Sequence, residues 1–281
     1  MAGLASSVVL GEKSDAACAV ASFSGRVCLA WTGTDTRLNL MGSADGQVFG
    51  NKMTLPFRSY RLEHDTDSDG SSTTRTVPLA PALACNEDGD QLVWTGSDRG
   101  LNHYSTGTAG TGYLGEQSSE PAAVAARGQE LLLAWTGTDR RVNLRHGEGV
   151  HWEPKWTLDE HSSLAPAVCA SATELALAWT GTDRHLNVMV TRGGQWGAPV
   201  RLEETSSDPP ALCPRGDRFA LAWTGTDRRI NVLAFGPDGA SPAEQLDATS
   251  SHAPSLCPLG DETTLAAWTG SDRRLNLAIL Y

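Results

Sequence analysis

At 281 residues, 40% of them apolar, the chain is long enough to bury a substantial core. Its 22 Lys and Arg against 33 Asp and Glu leave a formal net charge of -11, which argues against nucleic acid or an anionic membrane surface as a partner. No apolar run approaches the roughly 20 residues of a membrane span. The opening MAGLASSVVLGEKSD lacks the basic start of a secretory signal, so the expected location is the cytoplasm, or release without a recognisable signal peptide.

One short stretch recurs along the chain: LAWTGTDTRLNLM at 29 to 41, LVWTGSDRGLNHY at 92 to 104, LAWTGTDRRVNLR at 133 to 145, LAWTGTDRHLNVM at 177 to 189, LAWTGTDRRINVL at 221 to 233 and AAWTGSDRRLNLA at 266 to 278. The motif tryptophans Trp31, Trp94, Trp135, Trp179, Trp223 and Trp268 are spaced by 63, 41, 44, 44 and 45 residues. A period near 44 belongs to propeller blades or to helical repeats, and the pattern within it decides between them. In 165 to 203 the runs APAVC, ELALAW, HLNVMV and APVRLE are short, rich in Val, Leu and Trp, and separated by turn residues. Four short strands per unit specify a β-propeller blade.

The chain ends after the third strand of its sixth unit, while SVVLGEKSD at 7 to 15 matches the fourth-strand stretch PVRLEETSSD at 199 to 208 in its Val-x-Leu-x-Glu pattern. The expected fold is therefore all-β: one domain over 1 to 281, a six-bladed propeller whose ring is closed by the N-terminal strand. In an antiparallel meander the WTGTD turn, between the second and third strands, shares a face with each link from a fourth strand to the next blade (EQSSEP, EHSSLAP, TSSDP, TSSHAP). This polar face also receives the one long insertion, 56 to 80, which reads as a loop without clear periodicity.

Cysteine placement follows the repeat. Cys169, Cys213 and Cys257 each follow a proline by three residues and Cys85 lies one place further on, so equivalent positions in different blades are held beyond the ~7 Å between Cα atoms that a disulfide tolerates. Buried free thiols are expected.

Within the motif, Trp packs blade on blade, Gly is expected to take positive φ, and Thr, Asp and Asn (Asn39 and its equivalents) tie the hairpin. The candidate ligand-binding groups are Asp35, Asp98, Asp139, Asp183, Asp227 and Asp272 with Arg37, Arg99, Arg140, Arg184, Arg228 and Arg273. Fork donors and carboxylate acceptors beside an indole suit a sugar ring or a carboxylate. The layout of strand, G-T-D turn, strand, Trp and Leu before Ser-x-Pro resembles the repeats of bacterial PLL-type (fucose-binding-like) propeller lectins. SADGQVF is similar to a shortened sialidase Asp-box, with Ser43, Asp45, Gly46 and Phe49 matching. That resemblance implies sugar sites between blades and a multivalent carbohydrate-binding protein. It does not transfer sugar-contacting residues, because Asn-Leu or Asn-Val stands where those lectins carry an aromatic pair.

The insertion adds Asp65, Asp67, Asp69 and Gly70, the opening of a calcium loop; its twelfth position is Thr76 rather than the bidentate Glu. The alternative function is an enzyme (hydrolase, lyase or cyclising isomerase) with a single central pocket on the same face. Arg58, Tyr60, Arg61, Glu63 and His64 of the insertion would overhang that pocket, and His103 and Tyr104 stand outside the repeat. No other cofactor and no membrane insertion is expected, and the partner is a carbohydrate or another small molecule.

Overall fold

The computed structural model describes residues 4–66, 69, 71–149, 151–236 and 238–281. These residues form six antiparallel blades of four main strands around a central axis, three of them with an extra two-residue strand (His151–Trp152, Gln195–Trp196 and Gly239–Ala240), and no helix. The strand Leu4–Phe23 serves two blades. Its first half pairs with Arg274–Leu280 of blade 6 (Ser7 opposite Ala278, Val9 opposite Asn276), and its second half is the innermost strand of blade 1 (Cys18 opposite Trp31, Val20 opposite Leu29). The ring is thus closed by the N-terminal strand, leaving no unpaired edge at the seam.

The core is divided into six clusters of buried apolar side chains, one at each junction between neighbouring blades. Each contains one motif tryptophan. Between blades 4 and 5, for example, Trp223 packs with Ala176, Ala178, Leu186 and Val188 of the preceding blade. Large indole against small alanine lets adjacent sheets approach closely while filling the gap.

Polar staples run around the same ring. The threonine after each tryptophan donates its hydroxyl to a carbonyl in the link to the next blade, as Thr32 to Leu79 (2.6 Å), Thr95 to Glu120 (2.8 Å) and Thr136 to Leu164 (2.6 Å). In five of the six links a buried serine donates back to the next blade's threonine carbonyl, as Ser118 to Thr136 (2.7 Å) and Ser206 to Thr224 (3.1 Å). Buried peptide carbonyls that no strand can satisfy are thereby paired.

The insertion departs from expectation. It is a two-stranded hairpin, Tyr60–Thr66 against Ser72–Pro78, in full register from Tyr60 opposite Pro78 to Thr66 opposite Ser72. Alternating Arg61-Leu62-Glu63-His64 and the β-branched run STTRTV pair with each other, a period hidden in the sequence because neither strand has a buried face. The SADGQVF turn, on the opposite face, is a closed structural element: Asp45 Oδ1 accepts from the backbone N–H of Gln47 (2.8 Å) and Val48 (2.9 Å), and Ser43 Oγ accepts from Gly46 N–H (2.9 Å).

Candidate functional site

The six WTGTD turns have one geometry. The Asp Oδ1 accepts the backbone N–H two residues on, as in Asp35 to Arg37 (3.1 Å), Asp139 to Arg141 (3.1 Å) and Asp272 to Arg274 (3.0 Å). The Asn Nδ2 donates to the carbonyl of that same residue, as Asn143 to Arg141 (2.9 Å). Positive φ falls on the residue after the Asp (Thr36, Arg99, Arg140, Arg184, Arg228 and Arg273, between 65° and 68°), and not on the motif glycine. That glycine is required for a different reason: a Cβ on Gly137 would stand 2.6 Å from Asp139 Oδ1 and 3.0 Å from Asn143 Nδ2.

One carboxylate oxygen of each turn is committed to the backbone, which leaves the second for other partners. In blades 4 and 5 it meets a neighbour in the fourth strand, Arg201 at 3.0 Å from Asp183 and Gln245 at 2.9 Å from Asp227. The Asp183 carboxyl is held below the ordinary carboxylate range, first by the backbone N–H of His185 and then by Arg201. All five left-handed arginines are exposed. Arg228 donates to Ser251 O (2.9 Å) and Arg273 pairs with Asp15, so these two lie along the links toward the axis. Among the described residues, the guanidinium groups of Arg99, Arg140 and Arg184 have no polar partner. Of the adjoining positions, Arg37 lies 3.8 Å from Asp35.

The clefts between blades are unequal. Lys52 pairs with Glu12 above the Trp31 ring (5.3 Å to its centroid), and Lys155 pairs with Glu116 at 2.7 Å above Trp135 (5.9 Å). Phe57 stacks on Trp94 at 4.8 Å. Each feature shields an indole from above, so the motif tryptophans are wall rather than platform, and Trp179 Nε1 is buried without a hydrogen-bond partner.

At the axis lies a cavity of about 460 Å³, walled mainly by alanine, proline and leucine of the innermost strands. Its polar-face mouth is a ring of six equivalent link positions whose carbonyls accept the threonine staples: Ala16, Leu79, Glu120, Leu164, Asp208 and His252. The staple uses only the backbone, so it does not call for the three titratable side chains. Burial raises the Glu120 carboxyl above its ordinary range, opposed by Arg61 at 2.8 Å. Burial likewise raises Asp208, whose carboxylate accepts no hydrogen bond among the described residues, and lowers His252, whose Nδ1 is 2.8 Å from Ser251 Oγ.

Of the insertion residues expected to overhang this opening, Arg61 is the one that lines it. Arg58 turns back onto Asp35 O and Thr36 Oγ1 of blade 1, because the outermost strand runs on through it; Tyr60 begins the hairpin. Glu63 is held between Arg61 and Arg75, and His64 contacts Thr74 at 2.9 Å within the hairpin. His103 is buried inside blade 2 against Gln91 (2.9 Å), and Tyr104 packs on Phe57 between blades 1 and 2, so neither reaches the cavity. The sequence did not single out Glu120, Asp208 or His252. Their signal was present as titratable residues at a repeat position that elsewhere holds Ala or Leu. Of the calcium-loop residues, Asp65 sits opposite Thr73 and Asp69 Oδ1 accepts from Ser71 N–H (2.9 Å), while Asp67 and Gly70 lie outside the described residues. All six cysteines are buried and free, as expected.

No protein family and no curated protein sequence matches the chain. Solved structures do. An arginine-to-alanine variant of AofleA from Arthrobotrys oligospora superposes with a TM-score of 0.71 at 13% identity, over 98% of this chain and 86% of that one. The fold is a six-bladed β-propeller shared with lectins. The fucose-recognising six-bladed lectin of Aleuria aurantia gives a TM-score of 0.67 at 10% identity over 96% of this chain and 92% of its own, and a Hadza microbial sialidase gives 0.64 at 13% over 95% and 66%. At these identities the likeness is one of backbone, and it carries no residue from one protein to another.

Proposed function

We propose that the protein is a multivalent carbohydrate-binding propeller that meets its ligand at the WTGTD turns of the polar face. The observation that carries this reading is the left-handed arginine. An L residue there costs about 1–2 kcal/mol relative to a right-handed or extended conformation, and glycine would remove most of it. Five turns nevertheless hold arginine, and three of those side chains have no polar partner among the described residues. Beside Arg99 and Arg140 stand Asp98 and Asp139, each with one oxygen committed to the turn backbone and the other without a hydrogen-bond partner among the described residues, while in blade 4 the second oxygen of Asp183 accepts from Arg201. Together these supply the bidentate donor and the acceptor that a vicinal diol or an acidic sugar needs. The fold shared with fucose-recognising lectins supports the same class of ligand.

The experiment is a glycan array followed by calorimetric stoichiometry on any hit. Two or more equivalent sites per chain are expected, with those of blades 2, 3 and 4 lost on replacing Arg99, Arg140 and Arg184. An array without hits removes the proposal.

The asymmetry of the mouth ring favours a second reading, an enzyme with one central pocket. Glu120, Asp208 and His252 occupy three of six otherwise equivalent positions, and burial shifts all three from their ordinary ranges, raising the two carboxyls and lowering the imidazole, as happens where titratable groups gather at a functional site. A single ligand per chain, abolished by His252→Ala and untouched by the turn variants, would establish this reading over the first.

A further inference from the structure

Three departures from the repeat meet at the junction of blades 1 and 2, at the end of the ring opposite the WTGTD turns. In five blades the innermost and second strands pair at one register position as Ser22 with Val27, Ala126 with Leu131, Ala170 with Leu175, Pro214 with Phe219 and Pro258 with Thr264. In blade 2 that pair is Cys85 with Asp90. The facing residue from blade 1 is Cys28, at a position that the later blades fill with Gln91, Leu132, Ala176, Ala220 and Leu265. All three side chains are buried. The fold at this register position needs nothing ionisable, so a buried carboxylate beside two thiols is a local addition whose desolvation must be offset by something it holds.

The donor geometry suggests what that is. Cys28 Sγ lies 3.1 Å and Cys85 Sγ 3.4 Å from Asp90 Oδ1, and the three donor atoms lie within 4.8 Å of one another. Zinc bonds of about 2.3 Å to thiolate and about 2.0 Å to carboxylate, at a tetrahedral angle, place sulfur and oxygen roughly 3.5 Å apart. The observed spacing is close to that of a preformed half-shell. A positive group already rests on it: Arg26 Nη1 donates to Cys28 Sγ at 3.0 Å and Nη2 to Asp90 Oδ1 at 2.6 Å. The Arg26 side chain is 46% exposed, so it has room to leave toward solvent.

We propose that Cys28, Cys85 and Asp90 form a binding site for a thiophilic divalent cation of the zinc class, with the Arg26 guanidinium as the resident counter-charge that the ion displaces. Entry of the ion forms two metal–sulfur bonds and one metal–oxygen bond. It breaks two S–H bonds, whose protons pass to water, and a water molecule completes the tetrahedron. Affinity therefore rises with pH. The backbone of Asp90 is fixed independently of the ion, its N–H donating to Thr106 Oγ1 at 2.8 Å.

The test is titration of the reduced full-length protein with Co²⁺ under anaerobic conditions, followed by displacement with Zn²⁺. One equivalent should develop thiolate-to-cobalt charge-transfer absorption, absent in Cys85→Ser and Cys28→Ser. Arg26→Gln, a change at a half-exposed side chain that leaves the donors in place, should tighten binding about tenfold, whereas a purely structural Arg–Asp pair would only lose stability on this change. No charge-transfer band in the wild type, a band unchanged in Cys85→Ser, or unchanged affinity in Arg26→Gln overturns the proposal. Loss of two free thiols without metal uptake overturns it in favour of a redox pair.

Discussion

Replacing Arg140 by glycine should stabilise the fold while weakening ligand binding. Arg140 sits at φ +67° on an exposed turn, and its guanidinium has no polar partner among the described residues. Relief of the left-handed conformation is worth about 1–2 kcal/mol, and the greater freedom of glycine in the unfolded chain returns roughly 0.5–1 kcal/mol of that. The net gain is therefore about 0–1.5 kcal/mol. Because Arg99, Arg140 and Arg184 belong to different blades, the triple glycine variant should gain about three times the single-site amount, up to about 4.5 kcal/mol, if distant sites add. Arg140→Lys, which keeps the backbone strain and the charge, should leave stability unchanged. Urea unfolding followed by tryptophan fluorescence reads the midpoint at constant m-value. A lower midpoint for Arg140→Gly, or sugar stoichiometry unaltered in the triple variant, would refute the reasoning that the arginines are held for a ligand at the expense of stability.

The motif glycine gives a complementary test. Gly137→Ala drives a methyl to within 2.6 Å of Asp139 Oδ1 and should disrupt the two bonds to Arg141, a loss of about 1–3 kcal/mol by the same unfolding assay, whereas Gly112→Ala, with nothing within 4 Å, should be neutral or slightly stabilising. His252 should titrate below the ordinary 6.5, measured from its imidazole C2 proton by NMR, since burial opposes its charge. With the folded value depressed, its share of stability is present above 6.5 and is lost as pH falls through the depressed value. A titration midpoint at or above 6.5 would show the mouth of the cavity to be more hydrated than its burial implies.

The blade count, the closure by residues 7 to 12 and the stapling role of the motif Asp and Asn were legible in the sequence, because all three are consequences of repetition. A pattern copied six times states its period, and strand alternation within it states its secondary structure. The hairpin at 60 to 78 was not legible, since two exposed strands that pair only with each other carry no hydrophobic period. Nor was the role of the motif glycine, whose small size answers to Asp139 and Asn143 folding back over it rather than to its own φ.

The sequence thus determined the ring: which segments are strands, how they alternate, and which loops share a face. Only the tertiary structure decided which side chains meet. Repetition specifies what is equal between blades, whereas a site is built from what differs. Arg61 with Glu120 across the mouth, and Cys28 with Cys85 and Asp90 across a blade junction, are residues 57 to 62 positions apart in the chain. The closing of the propeller brings them within hydrogen-bond reach, and no local pattern encodes such a distance.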